Sequence, residues 1–154
     1  MFGELTSDQV DALLREEVVA RIAYIDRRGL PCIAAVSYAY DGAAFYGYSV
    51  MGAKLENMGA TPFVCVEVDR IYNAADWRCV IVRGTFEALR GTAAIDAVTR
   101  ISERLKIEAA AAKAPAMAAQ TYVRRKGGDG IAYRIHVNYK SGRYATPGAR
   151  ELDR

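Results

Sequence analysis

The chain has 154 residues, of which 52% are hydrophobic and 25% charged, and its formal net charge is +3. This composition is typical of one globular domain that buries its own core, and it excludes a disordered chain. Scattered basic residues, an acidic N-terminus and the lack of an apolar stretch of about 18 residues predict a cytoplasmic protein that binds neither nucleic acid nor membranes.

A short helix is predicted at the start of the chain. Thr6 and Gln9 have the spacing of a capping box, and apolar residues then fall on one helical face over about Ser7–Glu16. The first β-type run, Val18–Asp26, follows and is closed by turn residues that end in Gly29. The chain therefore opens with one helix and one strand.

Two further strands are predicted around a tight turn. Cys32–Tyr40 and Ala43–Ser49 flank Asp41-Gly42, the strongest short hairpin signal in the chain. With the first strand they predict an antiparallel meander. Cys32–Tyr40 is apolar on both faces, whereas a strand with one wet face should alternate. We therefore expect a partner subunit, a flat ligand or both to cover one of its faces.

The middle of the chain predicts a helix followed by two strands. Gly52–Met58 is predicted to be helical, with Gly59 as its C-terminal cap. Phe63–Asp69 is predicted as the fourth strand and Trp77–Leu89 as a long fifth one. Gly84 predicts a bulge or sharp bend within the fifth strand.

The last third of the chain predicts one amphipathic helix, an Ala-rich segment and a final strand. The helix begins near Thr92, and the Ala-rich segment is Glu108–Lys126, interrupted at Pro115. The strand is Ile131–Asn138, with a turn after it at residues 140–142. Six strands with short connections predict a small antiparallel barrel in a single domain, residues 1–154. The helix is expected to bury Ile95, Val98, Ile101 and Leu105.

Side-chain catalysis and metal binding receive little support from the sequence. No nucleophile elbow, zinc-protease motif or phosphate-binding glycine motif is present. Three well-separated cysteines are expected to be reduced core residues, and one histidine, His136, makes a zinc site improbable. We therefore predict no metal site, and the catalytic residues stay unassigned.

The segment from Tyr48 to Asn57 is the best candidate for a binding site. A strand ends at Ser49, Gly52 permits close backbone approach, and Lys54 lies in the first turn of a helix. The N-terminus of a helix favours anions, which would also explain a lysine at that place. From these residues alone, an ordinary strand-to-helix turn with an exposed lysine remains the competing interpretation.

Several segments between about Leu5 and Arg143 occur in an order and spacing that a known family shares. They are Ala20–Asp26 with Gly29 and Pro31, Ala35–Gly42, Phe45-Tyr46 followed by Gly52–Met58, Pro62 with Val64–Val68, and Trp77–Gly84.

In these segments the chain resembles the split-barrel flavin-binding superfamily of pyridoxamine 5′-phosphate oxidase, in particular its short branch related to nitroimidazole-resistance proteins. The resemblance implies a mainly β fold (α+β), a six-stranded antiparallel split barrel of Greek-key type with short flanking helices. It also implies a homodimer with FMN at the subunit interface, and a small-molecule substrate or electron donor.

The resemblance also implies the residues of the FMN site. The phosphate is expected at Ser49, Lys54 and Asn57, and the ring along the second strand. Trp77 and Arg78 are expected to approach from the other subunit. The ring contacts are expected from Val36, Ser37 and Tyr38, with Tyr48 on the substrate side.

Two classes of function follow from this site. The first is an FMN-dependent oxidoreductase in which the flavin carries the redox chemistry. The second is a non-catalytic flavin carrier or sensor, which needs the same pocket. Relatives of this barrel also bind a deazaflavin coenzyme or haem, and haem would call for His136 or a tyrosine as ligand.

Overall fold

The computed structural model of the protein describes residues 1–50, 52–111 and 130–147. The predicted interruption at Pro115 and the greater part of the Ala-rich segment lie outside these ranges. Among the described residues, no helix is both long enough and apolar enough to cross a membrane. The helices are α1 (Ser7–Glu16), α2 (Ala53–Ala60) and α3 (Gly91–Ala111).

The strands form one antiparallel sheet in the order β3-β2-β6-β7-β8-β5-β4, with β1 paired to β8. The predicted class, a mainly β antiparallel split barrel flanked by helices, is confirmed, with eight strands instead of six. The strands are β1 (Phe2–Glu4), β2 (Val19–Ile25), β3 (Pro31–Ser37), β4 (Ala39–Tyr40), β5 (Ala44–Val50), β6 (Phe63–Asn73), β7 (Asp76–Ala88) and β8 (Gly130–Ala145).

The predicted second strand is broken at Tyr38. The part before the break, β3, pairs with β2, while the part after it, β4, pairs with β5. These two parts are the opposite ends of the sheet, so a single residue joins the two edges of the barrel. The predicted three-stranded meander is therefore wrong, because β3 and β5 are not paired with each other.

Helices α1 and α2 both contribute to the core inside the barrel. The capping box of Thr6 and Gln9 is present, and α1 buries Val10, Leu13 and Leu14. Helix α2 adds Leu55 and Met58 to the same cluster. Gly59 is inside α2 and is not its cap, because the helix continues to Ala60.

Strand β8 is longer than predicted and continues through residues 140–142. The predicted turn is replaced by strand because these residues pair with Val80–Val82 of β7. The pairing of β7 with β8 shifts between Arg83 and Gly84, so the irregularity predicted at Gly84 is present, with the extra residue, Asn138, on β8. Tertiary pairing thus outweighs the turn composition of Lys140-Ser141-Gly142.

Helix α3 packs on the outside of β5 and β8. Ala97 is fully buried in a small cluster with Leu89 and Ala132, and Ile101 is also buried. Ile95, expected on the buried side, is 67% exposed, because the face of α3 that packs on the sheet is formed by Ala94, Ala97, Val98 and Ile101. The prediction for Ile95 is therefore wrong.

Candidate functional site

The sheet leaves a gap between β3 and β5, which we call the split. Strand β3 pairs only with β2, and residues 47–50 of β5 pair only with β8 among the described strands. Half of the backbone amides and carbonyls of each strand therefore point into the split without a strand partner. Such an edge can hydrogen-bond the polar groups of a ligand.

The split brings four of the predicted site residues to its two sides. Strand β4 pairs Ala39 with Tyr46, and the same register carried past the break would put Ser37 opposite Tyr48 and Val36 opposite Ser49. These strands separate instead of pairing. The predicted ring contacts on β3 and the predicted phosphate and substrate contacts on β5 thus face the same gap.

Helix α2 begins just beyond the end of β5. Its N-cap is Gly52, which has no side chain, so no side-chain hydrogen bond caps the helix. Lys54 is partly buried in the first turn. The first-turn amides, the positive end of the helix dipole and a lysine make this end of α2 suited to an anion.

Ser49 and Asn57 are the two buried polar side chains of the described residues, with 8% and 9% of their surface exposed. They lie on either side of the connection from β5 to α2. Buried polar groups are costly unless they are hydrogen-bonded, so they are uncommon. Two of them beside one connection make that connection a candidate binding site. This is the place where the sequence predicted a phosphate.

Tyr38 belongs to the barrel core. Its ring is 3% exposed and packs against Phe45, and its hydroxyl donates a hydrogen bond to the Leu14 carbonyl at 2.9 Å. Its amide donates to the Val18 carbonyl. Burial raises the pKa of the Tyr38 hydroxyl well above its ordinary value. The prediction of a cofactor contact at Tyr38 gains no support from this position.

Trp77 and Arg78 lie at the far end of β7 from α2. The Trp77 ring is 6.4 Å from the Phe2 ring, and Trp77 pairs with Ala145. Phe86 is at the end of β7 that lies near α2, because its amide donates a hydrogen bond to the carbonyl of Pro62, just beyond that helix. Nine residues of strand separate the two places, or roughly 30 Å. One chain does not bring Trp77 and Arg78 to the split.

A contact that the sequence did not predict connects α2 to the hairpin between β2 and β3. Arg27 and Glu56 form an ion pair at 3.0 Å, although both side chains are well exposed. The same hairpin is held by Asp26, whose carboxylate accepts the Arg28 and Leu30 amides. No local signal identifies this pairing, because it depends on where α2 packs. It connects one side of the split to the other.

Two cavities of about 650 and 540 Å³ lie beside this region. The first is between α3 and the ends of β5 and β8, and Tyr48 is the predicted site residue that lines it. The second is on the outer face of the sheet and is lined by Ala23, Phe63 and Tyr139, among others. The other predicted residues line neither of the two cavities.

The cysteines supply no nucleophile. Cys32, Cys65 and Cys79 are unpaired and partly buried. Burial and then the neighbouring Glu67 raise the pKa of Cys79 to about 11, and burial raises the pKa of Cys65. A protonated thiol is a poor nucleophile. Within the described ranges no cluster of His, Cys, Asp and Glu side chains has the make-up of a metal site.

The sequence model of the pyridoxamine 5′-phosphate oxidase family matches residues 6–134. The chain belongs to this family. The match begins at the N-cap of α1 and ends within β8, so it includes the split, α2 and all of β7. Membership in the pyridoxamine 5′-phosphate oxidase family confirms the resemblance inferred from the spacing of the segments.

Solved structures share the fold. A FAD-binding protein from Mesorhizobium loti is 26% identical with a TM-score of 0.71, and the match covers 95% of this chain and 99% of that one. A candidate 5-nitroimidazole antibiotic resistance protein from Bacteroides thetaiotaomicron is 13% identical with a TM-score of 0.70, covering 94% and 87%. The fold also occurs in an F420 reductase and in HutZ, the haem storage protein of Vibrio cholerae.

A curated relative is an uncharacterised protein of Rhizobium meliloti (strain 1021). It is 28% identical over 90 residues, which are 54% of this chain and 60% of that protein. The chain therefore matches about three fifths of the length of this relative, and the relative's name carries no activity. The assignment of the chain to the pyridoxamine 5′-phosphate oxidase family thus rests on the family match and the fold.

In this member of the pyridoxamine 5′-phosphate oxidase family, an arginine and the single histidine of the last strand both contact one carboxylate. Arg134 Nε and His136 Nε2 each lie 2.7 Å from an oxygen of Glu87. The hydrogen bonds from Arg134 and then His136 lower the pKa of Glu87. His136 is exposed on the sheet surface, as predicted, and away from the residues that line the two cavities.

Proposed function

We propose that this protein binds FMN in the split of a homodimer and acts as an FMN-dependent oxidoreductase on a small molecule. The observation that carries the proposal is the split itself, an open β-strand edge that leads to an uncapped helix N-terminus with a lysine in its first turn. One side offers polar backbone groups and the other offers an anion site. A flavin ring joined to a phosphate has the complementary chemistry.

The phosphate end of the proposed site is at the start of α2. Backbone amides and Lys54 supply positive charge, and the buried Ser49 and Asn57 supply hydrogen-bonding groups on both sides of the connection. A phosphate dianion there would accept charge-assisted hydrogen bonds, which are among the strongest in proteins. It would also offset the unfavourable placement of a lysine at a helix N-terminus.

The ring end of the proposed site is along β3. Val36 and Ser37 are partly buried on an edge without a strand partner, and Tyr48 faces them across the split. Backbone groups of this edge would hold the polar side of the ring, while Tyr48 shapes the opposite side. The fold similarity to a FAD-binding protein at 26% identity supports a flavin at this place.

A homodimer would complete the site. The outer face of β3 exposes Pro31, Ile33 and Ala35, and Ile33 is 72% exposed. Val19 and Ile25 of β2 extend this apolar surface. Burial of such a surface against a second copy is favourable, at roughly 25 cal/mol per Å² of apolar area. In this arrangement Trp77 and Arg78 reach the flavin of the partner chain.

The protein would position the cofactor and exclude water, and the flavin would supply the hydride and electron chemistry. The chain's own residues bind the phosphate, orient the ring and limit the space for a substrate. No acid–base pair or nucleophile among the described residues is required for that division of labour. A carrier or sensor would need the same binding residues.

The decisive experiment is the visible spectrum of the purified protein, followed by titration with FMN, FAD, coenzyme F420 and haem. We expect flavin absorbance near its usual maxima and tightest binding of FMN. A colourless protein that gains no flavin absorbance contradicts the proposal, and a Soret band with haem bound most tightly would replace it. Turnover of NAD(P)H by the FMN-loaded protein supports an enzyme, and its absence supports a carrier.

A further inference from the structure

A smaller cavity of about 230 Å³, with charged and aromatic side chains in its lining, lies between α1, α3 and the β4–β5 hairpin. We call it the arginine pocket. It is lined by side chains from three separate parts of the chain, and none of them belongs to the proposed flavin site. The charged and aromatic lining residues are Arg15, Arg100, Glu103, Arg104, Tyr40 and Tyr46.

Two of these arginines are held over tyrosine rings. The guanidinium carbon of Arg15 is 5.5 Å from the centre of the Tyr40 ring, and that of Arg100 is 5.3 Å from the centre of the Tyr46 ring. Both tyrosine hydroxyls point elsewhere, to Asp11 and Asp41 at 2.7 Å. Cation–π stacking orients a guanidinium without using its N–H donors.

The donors of these two arginines are little used within the protein. Arg15 makes one long hydrogen bond, 3.5 Å, to the Asp41 carbonyl. In residues 1–50, 52–111 and 130–147, Arg100 makes neither a hydrogen bond nor an ion pair, whereas Arg21, Arg27, Arg70 and Arg134 each pair with a carboxylate. Arg15 and Arg100 thus have no carboxylate within ion-pair distance in the described ranges, although Asp11 and Asp41 interact with them at longer range.

The third arginine fixes the floor of the pocket. Arg104 donates to the Glu16 carbonyl at 2.5 Å and to the Glu17 carbonyl at 3.5 Å, at the end of α1. Arg100 and Arg104 are four residues apart on α3, a spacing at which like charges repel. Glu103 is the one acidic residue that lines the cavity beside the three arginines, and Asp11 and Asp41 lie at the hydroxyls of the two tyrosines.

We propose that the arginine pocket binds a phosphate monoester through Arg15 and Arg100, at a site separate from the flavin. A phosphate would give Arg15 and Arg100 a direct anionic partner, and the planar fork of each guanidinium donates two hydrogen bonds to one phosphate. The volume corresponds to roughly eight water molecules at about 30 Å³ each, which accommodates the phosphate and a small organic group. The repulsion between Arg100 and Arg104 is relieved when the dianion is bound.

The test is titration of the full-length protein with inorganic phosphate at low ionic strength, followed by calorimetry. Arg100→Gln should weaken phosphate binding by at least about tenfold, and Arg15→Gln should have a similar effect. Arg100→Lys should fall between, because it keeps the charge and loses the fork. Arg28→Gln is the matched control, since Arg28 is exposed in the β2–β3 hairpin, and it should bind phosphate like the unmodified protein.

The outcomes separate this site from the flavin site. Arg100→Gln should leave FMN affinity unchanged, whereas a loss of FMN affinity would place the pocket within the flavin site and overturn a separate one. Equal phosphate binding by the unmodified protein and Arg100→Gln, or no binding at millimolar phosphate, also overturns the proposal. Succinate that binds through Arg100 when phosphate does not would replace the phosphate ester by a dicarboxylate. The phosphate and succinate titrations give their results whether or not the protein binds flavin, so a failure of the flavin proposal is distinguishable from a failure of this one.

Discussion

At the scale of single residues, Ser49, Lys54 and Asn57 differ from the other polar residues of the chain in where they lie. Most charged side chains are at the surface and pair there, as Arg21 does with Glu67 and Asp69. Exposed pairs of that kind contribute little to stability. The two buried polar residues instead flank the start of α2, where the proposed phosphate would contact them.

Replacing Lys54 by Glu puts a negative charge against the proposed phosphate. We expect FMN binding to become less favourable by about 1.5–3 kcal/mol, the scale of a charge-assisted hydrogen bond. This corresponds to a rise in Kd of about tenfold or more. Quenching of flavin fluorescence measures the affinity. Lys106→Glu on the exposed face of α3 is the control and should leave it unchanged. Unchanged affinity in Lys54→Glu would remove this residue from the site.

The β2–β3 hairpin has a carboxylate whose ionisation is coupled to folding. The backbone hydrogen bond from Leu30 lowers the pKa of Asp26 below its ordinary value, and the bond from Arg28 adds to this effect against the opposing influence of burial. A carboxylate with a lowered folded pKa stabilises the fold above its unfolded pKa, and this contribution is lost as the pH falls through the folded value. The loss therefore occurs below about pH 4.

The variant Asp26→Asn tests this coupling. It keeps an acceptor for the two amides and removes the titration, so we expect its free energy of unfolding to change less between pH 5 and pH 3 than that of the unmodified protein. Urea unfolding at a series of pH values measures the difference. Parallel pH profiles for the two proteins would show that Asp26 does not contribute to the acid sensitivity.

At the scale of elements, the bulge of β8 at Asn138, opposite Gly84 of β7, decides how β8 crosses the barrel. Gly84 lies where the register of β7 and β8 shifts, next to the backbone of β8. A methyl group there would lie 2.7 Å from the His136 carbonyl oxygen and also against Ile135. Because one of these neighbours is backbone, rotation of a side chain cannot relieve the contact. The element is therefore specified by a position that only glycine fits.

Gly84→Ala should destabilise the protein by about 1–3 kcal/mol, the usual cost of overpacking. The matched control is Gly59→Ala inside α2, where nothing lies within 4 Å of an added Cβ. This second change should be stabilising by roughly 0.5–1 kcal/mol, since alanine favours the helix. Urea midpoints at equal m-value measure both effects. Equal midpoints for the two variants would contradict the packing argument.

At the scale of the whole molecule, the exposed apolar face of β2 and β3 and the position of Trp77 and Arg78 point to the same arrangement. A single chain leaves Ile33 exposed and keeps Trp77 roughly 30 Å from α2 along β7. A second copy of the chain would cover Ile33 and would bring its own Trp77 to the site. The proposed flavin site and the proposed dimer are therefore expected to form or fail together.

Ile33→Asp places a charge in the centre of the proposed interface. We expect a monomer in analytical ultracentrifugation and a loss of FMN affinity, because burial of an unpaired carboxylate is costly and the partner's contacts disappear. Ile95→Asp on α3 changes an equally exposed isoleucine away from this face and should remain dimeric. An Ile33→Asp protein that sediments as the unmodified dimer would exclude this face as the interface.

The sequence by itself determined most of the elements and the place of the proposed anion site. The capping box of α1, the turn at Asp41-Gly42, the bulge at Gly84 and the segment Ser49–Asn57 each depend on a few neighbouring residues, whose conformational preferences act locally. These features are present in the structure. The buried state of Ser49 and Asn57 was not visible in the sequence, because it depends on what packs over them.

Only the tertiary structure decided how the elements are joined into a site. The break at Tyr38, the separation of β3 from β5, the extension of β8 through residues 140–142 and the convergence of Arg15 with Arg100 all depend on contacts between distant parts of the chain. Strand pairing joins residues that are far apart in sequence, so local composition does not specify which strands pair. The split and the arginine pocket both arise from that long-range packing.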